Sequence, residues 1–334
     1  MECISEFESL GLGPVVEVQR AVREGKGEEL ARLLKDWPKF KSVAILASSG
    51  LPIVPAAIIT EAGDLARANL TRTLERWGDR KVVIRTETKG GAAGGVSVQN
   101  CPVEEVWENV VPLIESGKMV MVMGKEGGDP YHNSYNVNVH LTGLTSAHLE
   151  IVGPGFTATD LNKRGLKHEE VKLSWGEEGF RAERVSRISD GQYRQNVESM
   201  FKRLEKKFGD KFLEKLQEMK ATILEHRELY EPIDDEFLQV IYQLAPRIKS
   251  AVRAMGLEVE EAIVAMSFIQ RKEGPTPVFW DIYGYGRYAA STREIETRAG
   301  SSKSDLLSIL SEGRDRPKEG LKHLKSRQAR REGD

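Results

Sequence analysis

Short apolar runs alternate with charged amphipathic segments along the first third of the chain. The runs at 41–47, 81–85 and 118–124 are rich in Val, Ile or Met, a pattern that predicts buried strands. Residues 61–77 and 102–117 place apolar side chains at helical spacing between charges, and each segment predicts a helix. Strands and helices are therefore expected to alternate in this part of the chain.

A strict alternation of apolar and polar side chains marks residues 133–141. Asn136, Asn138 and His140 occupy the polar positions, and the residues between them are Val or Tyr. This period of two predicts a strand of an antiparallel sheet with one buried face and one exposed face. Asparagine is depleted in strands, so we expect these side chains to line a cleft and contact a substrate, the alternative being a solvated sheet face.

Long charged segments follow, and then two apolar strands close the pattern. Residues 191–229 and 235–256 predict a pair of helices, while 261–270 and 276–284 predict a hairpin. The fold class is therefore predicted as α+β, with two mixed or antiparallel subdomains and an inserted helical pair. The expected divisions are an N-terminal helical segment (1–40), a first subdomain (41–123), a second subdomain (124–290) with its helical insertion (190–257), and a polar basic tail (291–334).

Composition and charge indicate where the protein is located and which classes of partner it binds. The formal net charge is −2, which does not indicate nucleic-acid binding by the whole chain. The basic segment 314–331 is either a solvated terminus or a contact for RNA, DNA or an acidic partner. We find no secretion signal and no apolar run of the length that a membrane span needs, and Cys3 and Cys101 suit reduced thiols. A cytoplasmic protein without a membrane partner is the prediction.

A glycine-rich segment, "RTETKGGAAGGVSV" (85–98), connects two of the predicted strands. Glycines allow backbone N–H groups to approach an anion, and phosphate is the common ligand of such loops. The segment lacks the Gly-Lys-Ser/Thr ending of a P-loop, and a strand follows it where the dinucleotide-binding fingerprint requires a helix. A plain hairpin with a flexible tip is the alternative.

The order of elements around this loop resembles the ATP-grasp superfamily. In "KVVIRTETKGGAAGGVSVQNCPVEEVWENVVPLIESGKMVMVMGKEGG" (81–128), a strand, a glycine-rich loop, a strand, a helix and a strand follow each other as they do in that superfamily. The segment "GLPIVPAAIITEAG" (50–63) is also similar to the nucleotide domains of phosphoenolpyruvate synthase and pyruvate phosphate dikinase. The resemblance covers 41–156 and 262–287. It implies a cleft between two subdomains, ATP and Mg²⁺ as cofactors, and either a ligase that activates the carboxylate of a small molecule or a phosphotransferase.

Candidate site residues follow from this resemblance. It implies phosphate contacts from Arg85 and from the loop residues Lys89, Gly90, Gly91, Gly94 and Gly95, and catalytic roles for Arg85 and Arg287. Asp281, on the closing strand, and Glu150, which interrupts another apolar strand, are the expected Mg²⁺ ligands. From the residue types alone we expect Asn136, Asn138, His140 and Asp160 to contact the substrate.

The sequence also departs from the superfamily pattern. The asparagine expected two residues after Asp281 is replaced by Tyr283, and Gln270 ends the preceding strand where a second carboxylate is expected. No phosphohistidine domain is present in the sequence. A non-enzymatic nucleotide- or nucleic-acid-binding protein with a degenerate ATP site therefore remains the alternative. Four histidines from His132 to His168 also suggest a zinc site, although histidines that form hydrogen bonds within a sheet are the simpler interpretation.

Overall fold

The structure is a computed structural model that describes residues 7–10, 14–78, 81–87, 97–124, 134–153, 156, 161, 166–176, 179–208, 213–225, 233, 235–271 and 274–284. Its strands are β1 (Phe7–Leu10), β2 (Ala56–Ile59), β3 (Lys81–Glu87), β4 (Ser97–Pro102), β5 (Met119–Gly124), β6 (Ser134–Gly143), β7 (Ser146–Val152), β8 (Glu169–Gly176), β9 (Gly179–Arg187), β10 (Ala262–Arg271) and β11 (Gly274–Gly284). Its α-helices are α1 (Pro14–Arg23), α2 (Gly27–Leu33), α3 (Pro38–Ser48), α4 (Asp64–Trp77), α5 (Val106–Glu115), α6 (Asp190–Phe208), α7 (Leu213–Glu225) and α8 (Asp235–Ala254).

These strands form two sheets. The first has the order β1-β2-β5-β3-β4, in which β1 and β2 are parallel and the other pairs are antiparallel. The second has the order β11-β10-β6-β7-β8-β9 and is antiparallel throughout. The predicted α+β class with mixed or antiparallel sheets is confirmed, as are the strands around the glycine-rich segment and the closing hairpin β10–β11.

Helices cover both faces of the first sheet. On one face, Leu70 and Leu74 of α4 and Val106 and Val110 of α5 pack in one core with Ile84 and its neighbours on the sheet. On the other face, α3 joins a larger core that also contains α8 and the apolar face of the second sheet. The helices α1 and α2 pack at the margin of this larger core. The two sheets thus share a layer of helices.

The run 41–47 was predicted as a strand, and that prediction is wrong because it forms the body of α3. Pro38 occupies the first turn of this helix, where its missing N–H has no cost. Every residue from Ser42 to Ala47 is buried. A helix that is enclosed on all sides has no polar face, so its sequence shows a short apolar run instead of a helical period.

Other elements refine the predicted divisions. The N-terminal segment contributes the strand β1 as well as helices, and residues 169–187 form the hairpin β8–β9, which the sequence pattern did not indicate. The first of the two predicted long helices is divided into α6 and α7, so the described part of the insertion has three helices. Among the helices of the described residues, none is both long enough and apolar enough to cross a membrane.

The residues 51–55 bring the two sheets together. Ile53 forms a parallel bridge with Phe279 of β11, and the Phe279 N–H donates to the carbonyl of Pro52 at 2.8 Å. The Gly124 N–H, at the end of β5, donates to the carbonyl of Pro55 at 2.7 Å. This segment therefore joins the edge strand of the second sheet to the first sheet.

Helix α3 is fastened to both sheets by polar contacts. The Glu87 carboxylate, at the end of β3, accepts hydrogen bonds from the backbone N–H of Lys39 at 3.0 Å and of Phe40 at 3.2 Å. A carboxylate is favourable there because the first N–H groups of a helix lack partners and its N-terminus is electropositive. Further along α3, the Ser42 hydroxyl accepts a hydrogen bond from the Ile282 N–H of β11 at 2.7 Å.

We predict that Glu87→Gln lowers the free energy of unfolding by about 1–3 kcal/mol, because an amide replaces one acceptor oxygen with a donor that faces buried N–H groups. Urea denaturation followed by circular dichroism measures this loss. Glu75→Gln, at an exposed position of α4, is the control and should change stability little. Equal stability of the two variants would show that the Glu87 contacts do not hold α3.

Candidate functional site

Polar side chains gather on one face of the second sheet, opposite to the face that packs against α3 and α8. We call this the polar face, and its members are Asn136, Asn138, His140, Glu150, Ser267, Asp281 and Tyr283. The expectation of an exposed polar side on β6 is wrong, because only 1% of Asn138 and 5% of His140 are exposed. The three substrate candidates of β6 are thus brought together, within the protein rather than on its surface.

Strand register places several of these residues in one row across the sheet. Asp281 pairs with Ala265, Ala265 with Asn138, and Asn138 with Glu150, which in turn pairs with Glu170. Directly opposed residues of an antiparallel sheet share a face. The row therefore runs from the edge strand β11, through β10, β6 and β7, to β8.

An irregularity in β11 adjusts the position of Asp281. The register between β10 and β11 shifts at Ala265 and Met266, where Trp280 is the extra residue. The Trp280 indole N–H donates to the Ser267 hydroxyl on the polar face at 2.7 Å, while Phe279 and Ile282 belong to the large core on the other face. Such bulges re-aim side chains, and here the indole N–H of Trp280 reaches the polar face although the Trp280 side chain also packs against the large core.

Both polar atoms of the Asn136 side-chain amide form hydrogen bonds within the protein. Its amide oxygen accepts a hydrogen bond from the Ser267 hydroxyl at 2.8 Å, and its amide nitrogen donates to the carbonyl of Phe156 at 2.9 Å. With the Trp280 contact to Ser267, these bonds form a continuous chain from β11 to the residues after β7. This arrangement favours a structural role for Asn136.

Asn138 and Asp281 lie on either side of Ala265 in the row. The methyl side chain of Ala265 is small, so it leaves room for the side chains of Asn138 and Asp281. The Tyr283 hydroxyl donates to the Asn138 amide oxygen at 3.3 Å, so this oxygen is directed towards β11. The Asp281 carboxylate also accepts the N–H of Ile282 at 2.9 Å. Carboxylate and amide oxygens are the donors that Mg²⁺ prefers, so the donor set suits this ion.

Glu150 is too far from Asp281 to share one Mg²⁺ with it, which corrects the predicted pairing of these two ligands. The two residues are three strands apart, or about 14 Å between backbones at the usual strand spacing. Two oxygens bound to one Mg²⁺ lie at most about 4 Å apart. In the structure, the Glu150 carboxylate is instead 3.1 Å from the His140 Nε2 and ion-paired with Lys167.

The surroundings of Glu150 keep it ionised. Burial alone would raise the pKa of this carboxyl, but hydrogen bonds from His140 and Lys167 outweigh burial and lower its pKa to about 2. Lys167 also bonds Glu170 at 2.8 Å, which lowers the pKa of Glu170. Burial lowers the pKa of His148, beside them, which favours the neutral form of its imidazole.

Arg85, the remaining described candidate, lies in the first sheet. It is half-buried near the end of β3, where it pairs with Met121 of β5 and Ser97 of β4. Met121 belongs to the large core, so Arg85 is on the same sheet face as α3. The other candidates lie outside the described residues: Lys89, Gly90, Gly91, Gly94, Gly95, Asp160, Arg287 and the basic tail 291–334.

Sequence reasoning missed the residues that complete this region. Lys167, Glu170 and His148 contact one another or Glu150, but their relation depends on the pairing of β7 with β8, and β8 was not predicted. The alternation of Val171 and Leu173 with polar residues was the available signal for this strand.

Comparisons with known proteins give weak similarities. No protein-family model matches the chain, and no curated protein matches it significantly. Among solved structures, the D-cycloserine synthetase DcsG is 12% identical, with a TM-score of 0.35 over 88% of this chain and 85% of that one. D-alanyl-alanine synthetase A from Vibrio cholerae is 11% identical, with a TM-score of 0.36 over 86% and 71%. The D-alanine–D-alanine ligase from Bacillus anthracis is 10% identical, with a TM-score of 0.33 over 78% and 67%.

These three solved structures are named as synthetases or as a ligase. Their TM-scores lie below 0.5 and their identities near one in ten. These similarities therefore assign neither an activity nor site residues to this chain.

We predict that stability falls between pH 4.5 and about pH 2 partly through Glu150. Its pKa is lowered from 4.5 to about 2 on folding, so its contribution is present above pH 4.5 and is lost as pH falls through the folded value. Glu150→Gln should be less stable than wild type at pH 7 and should lose less stability across this window. Urea denaturation at several pH values measures both effects, with Glu75→Gln as control. Parallel pH profiles for wild type and Glu150→Gln would contradict the assigned pKa.

Proposed function

We propose that this protein binds Mg·ATP between the glycine-rich segment of the first sheet and the polar face of the second, and that it is a ligase of the ATP-grasp type. Its expected reaction is the activation of a carboxylate as an acyl phosphate, followed by attack of an amine or a thiol. The order of the strands supports the ATP-binding part of this proposal. Residues 88–96 connect β3 to its sheet neighbour β4, and α5 and β5 then follow in the order of that superfamily.

The observation that carries the proposal is the pair of oxygen donors on either side of Ala265. Asp281 lies on the last strand of the second sheet, and Asn138 lies two strands away in the same row. Both side chains belong to a largely buried face, where a phosphate group needs positive charge close by. Asp281 and Asn138 would hold Mg²⁺, which when bound would neutralise phosphate charge and orient the terminal phosphoryl group.

Other residues of the chain would then position and stabilise the nucleotide. Backbone N–H groups of the glycine-rich segment would donate to phosphate oxygens, and Arg85 and Lys89 would supply positive charge. Tyr283 would keep the Asn138 oxygen directed towards Asp281 through its hydrogen bond. Arg287 and Asp160 remain proposed contacts for the reacting group and the small-molecule substrate. Phosphoryl transfer depends mainly on such positioning and electrostatics, so these roles are sufficient for the chemistry.

A second candidate is a nucleotide-binding protein without ligase activity. On β10, the strand next to Asp281, the positions of the polar face are Ile263, Ala265 and Ser267, and none of them is a carboxylate. A site with Asp281 as its single carboxylate would bind Mg²⁺ with lower affinity than a site with two carboxylates. The basic tail would provide contact with a nucleic acid or an acidic partner in this case.

We predict that Asp281→Asn weakens binding of Mg·ATP by at least about tenfold and leaves metal-free ATP nearly unaffected, because the nearly isosteric amide removes the charge that anchors the ion. Isothermal titration with ATP, with and without Mg²⁺, measures the difference. Glu75→Gln, at an exposed position of α4, is the control and should leave both affinities close to wild type.

Equal Mg·ATP affinity in wild type and Asp281→Asn would contradict the metal assignment of the closing strand. ADP release by wild type in the presence of carboxylate and amine or thiol pairs separates the two functions. Turnover supports the ligase, whereas tight Mg·ATP binding without turnover over a broad panel favours the second candidate.

A further inference from the structure

On the same face of the second sheet, β7 and β8 bring together three side chains of the types that bind transition metals. Glu150 and Glu170 are directly opposed in the strand register, and His148 precedes Glu150 by two residues, so all three share one face. One nitrogen of His148 and one oxygen of each carboxylate all lie within 4.8 Å of one another. Ligands of one tetrahedral ion are about 3.3–3.6 Å apart, so small side-chain rotations would bring the three atoms to bonding distance.

A further residue orients the central member of this group. His140 pairs with His148 across β6 and β7, and its Nε2 lies 3.1 Å from the Glu150 carboxylate. His140 and Glu150 are almost completely buried, whereas His148 and Glu170 are partly exposed, with 26% and 21% of their side chains accessible. The group therefore has a fixed inner ligand and two outer ligands that solvent can reach. Outer-shell hydrogen bonds of the His140 kind are a regular feature of metal sites.

This group already binds one cation, the ammonium of Lys167. The Lys167 Nζ is ion-paired with Glu150 and lies 2.8 Å from Glu170, so a single positive charge serves two carboxylates. The Lys167 side chain is 37% exposed and precedes β8 in the chain, so it can withdraw into solvent without disturbing a strand. A divalent ion in its place would balance both carboxylates and would also gain an imidazole ligand.

We infer that His148, Glu150 and Glu170 form a binding site for a divalent transition metal of the Zn²⁺ or Co²⁺ type, which replaces the Lys167 ammonium. The nitrogen ligand determines the class of metal, because imidazole suits Zn²⁺ and Co²⁺ whereas Mg²⁺ prefers oxygen donors alone. The fourth position is open to water, as it is in sites with three protein ligands.

This site is separate from the metal site proposed for the nucleotide. Its ligands differ from Asp281 and Asn138: Glu150 is opposite Asn138 in the register but three strands from Asp281, and Glu170 is one strand further. Binding of a transition metal here does not require ATP, and it does not depend on the ligase proposal.

Titration of the full-length protein with Co²⁺, without nucleotide, tests the site because the visible d–d absorption of Co²⁺ reports its ligands. We expect one Co²⁺ per chain with the intense bands of a four- or five-coordinate ion. His148→Ala and Glu170→Gln should each weaken binding by at least about tenfold. Lys167→Met should strengthen binding, since it removes the competing ammonium. His323→Ala, in the tail outside the described residues, is the control for adventitious histidine binding and should match wild type.

Circular dichroism establishes that each variant is folded before its affinity is compared. Absence of Co²⁺ binding in both wild type and Lys167→Met would overturn the inference. So would an affinity that is the same in wild type, His148→Ala and Glu170→Gln. Loss of binding in His323→Ala alone would assign the ion to the tail and would equally overturn it.

Discussion

The second sheet buries a polar face, and the need to satisfy its hydrogen-bonding groups constrains the rest of the structure. Burial of an amide or a carboxylate without a hydrogen-bond partner costs several kcal/mol. For a neutral polar group, transfer from water to an apolar environment costs about 2–7 kcal/mol. Asn136 meets this requirement through Ser267 and the Phe156 carbonyl, and Glu150 meets it through His140 and Lys167. Partners on several strands must therefore be in register at the same time, which fixes the alignment of β6 with β7 and β10.

The opposite face of the same sheet is apolar and connects the two halves of the molecule. Helix α3 packs there, and its Ser42 hydroxyl binds the backbone of Ile282, next to Asp281. At its N-terminus, α3 binds Glu87, the last residue of β3. One buried helix thus links the strand that bears the proposed metal ligand to the strand that leads into the proposed phosphate loop. Both halves of the proposed ATP site are positioned by the same element.

Periodicity predicted the fold where elements have two distinct faces. The alternation in β6, the helical period of α4 and the hairpin β10–β11 were all evident from the sequence. The prediction failed for α3, because a helix buried on all sides has no polar period to read. For the site, Asp281 was predicted as a Mg²⁺ ligand from the resemblance, and Asn138 was predicted as a substrate contact from the alternation of β6. The strand pairing of the sheet places Asp281 and Asn138 in one row and sets the distance between Glu150 and Asp281. Residue patterns do not show which strands pair when the strands are far apart in the chain.

The central claim is that one nucleotide contacts both the glycine-rich segment and the polar face of the second sheet, and hydrogen–deuterium exchange with a non-hydrolysable Mg·ATP analogue tests it most directly. We expect slower exchange in peptides from both sheets, namely those covering the end of β3 and the start of β4 and those covering β11. Peptides from the β8–β9 hairpin serve as the internal reference and should exchange at the same rate with and without the analogue. Slower exchange in only one sheet, or in neither, at a saturating concentration of the analogue would contradict the claim.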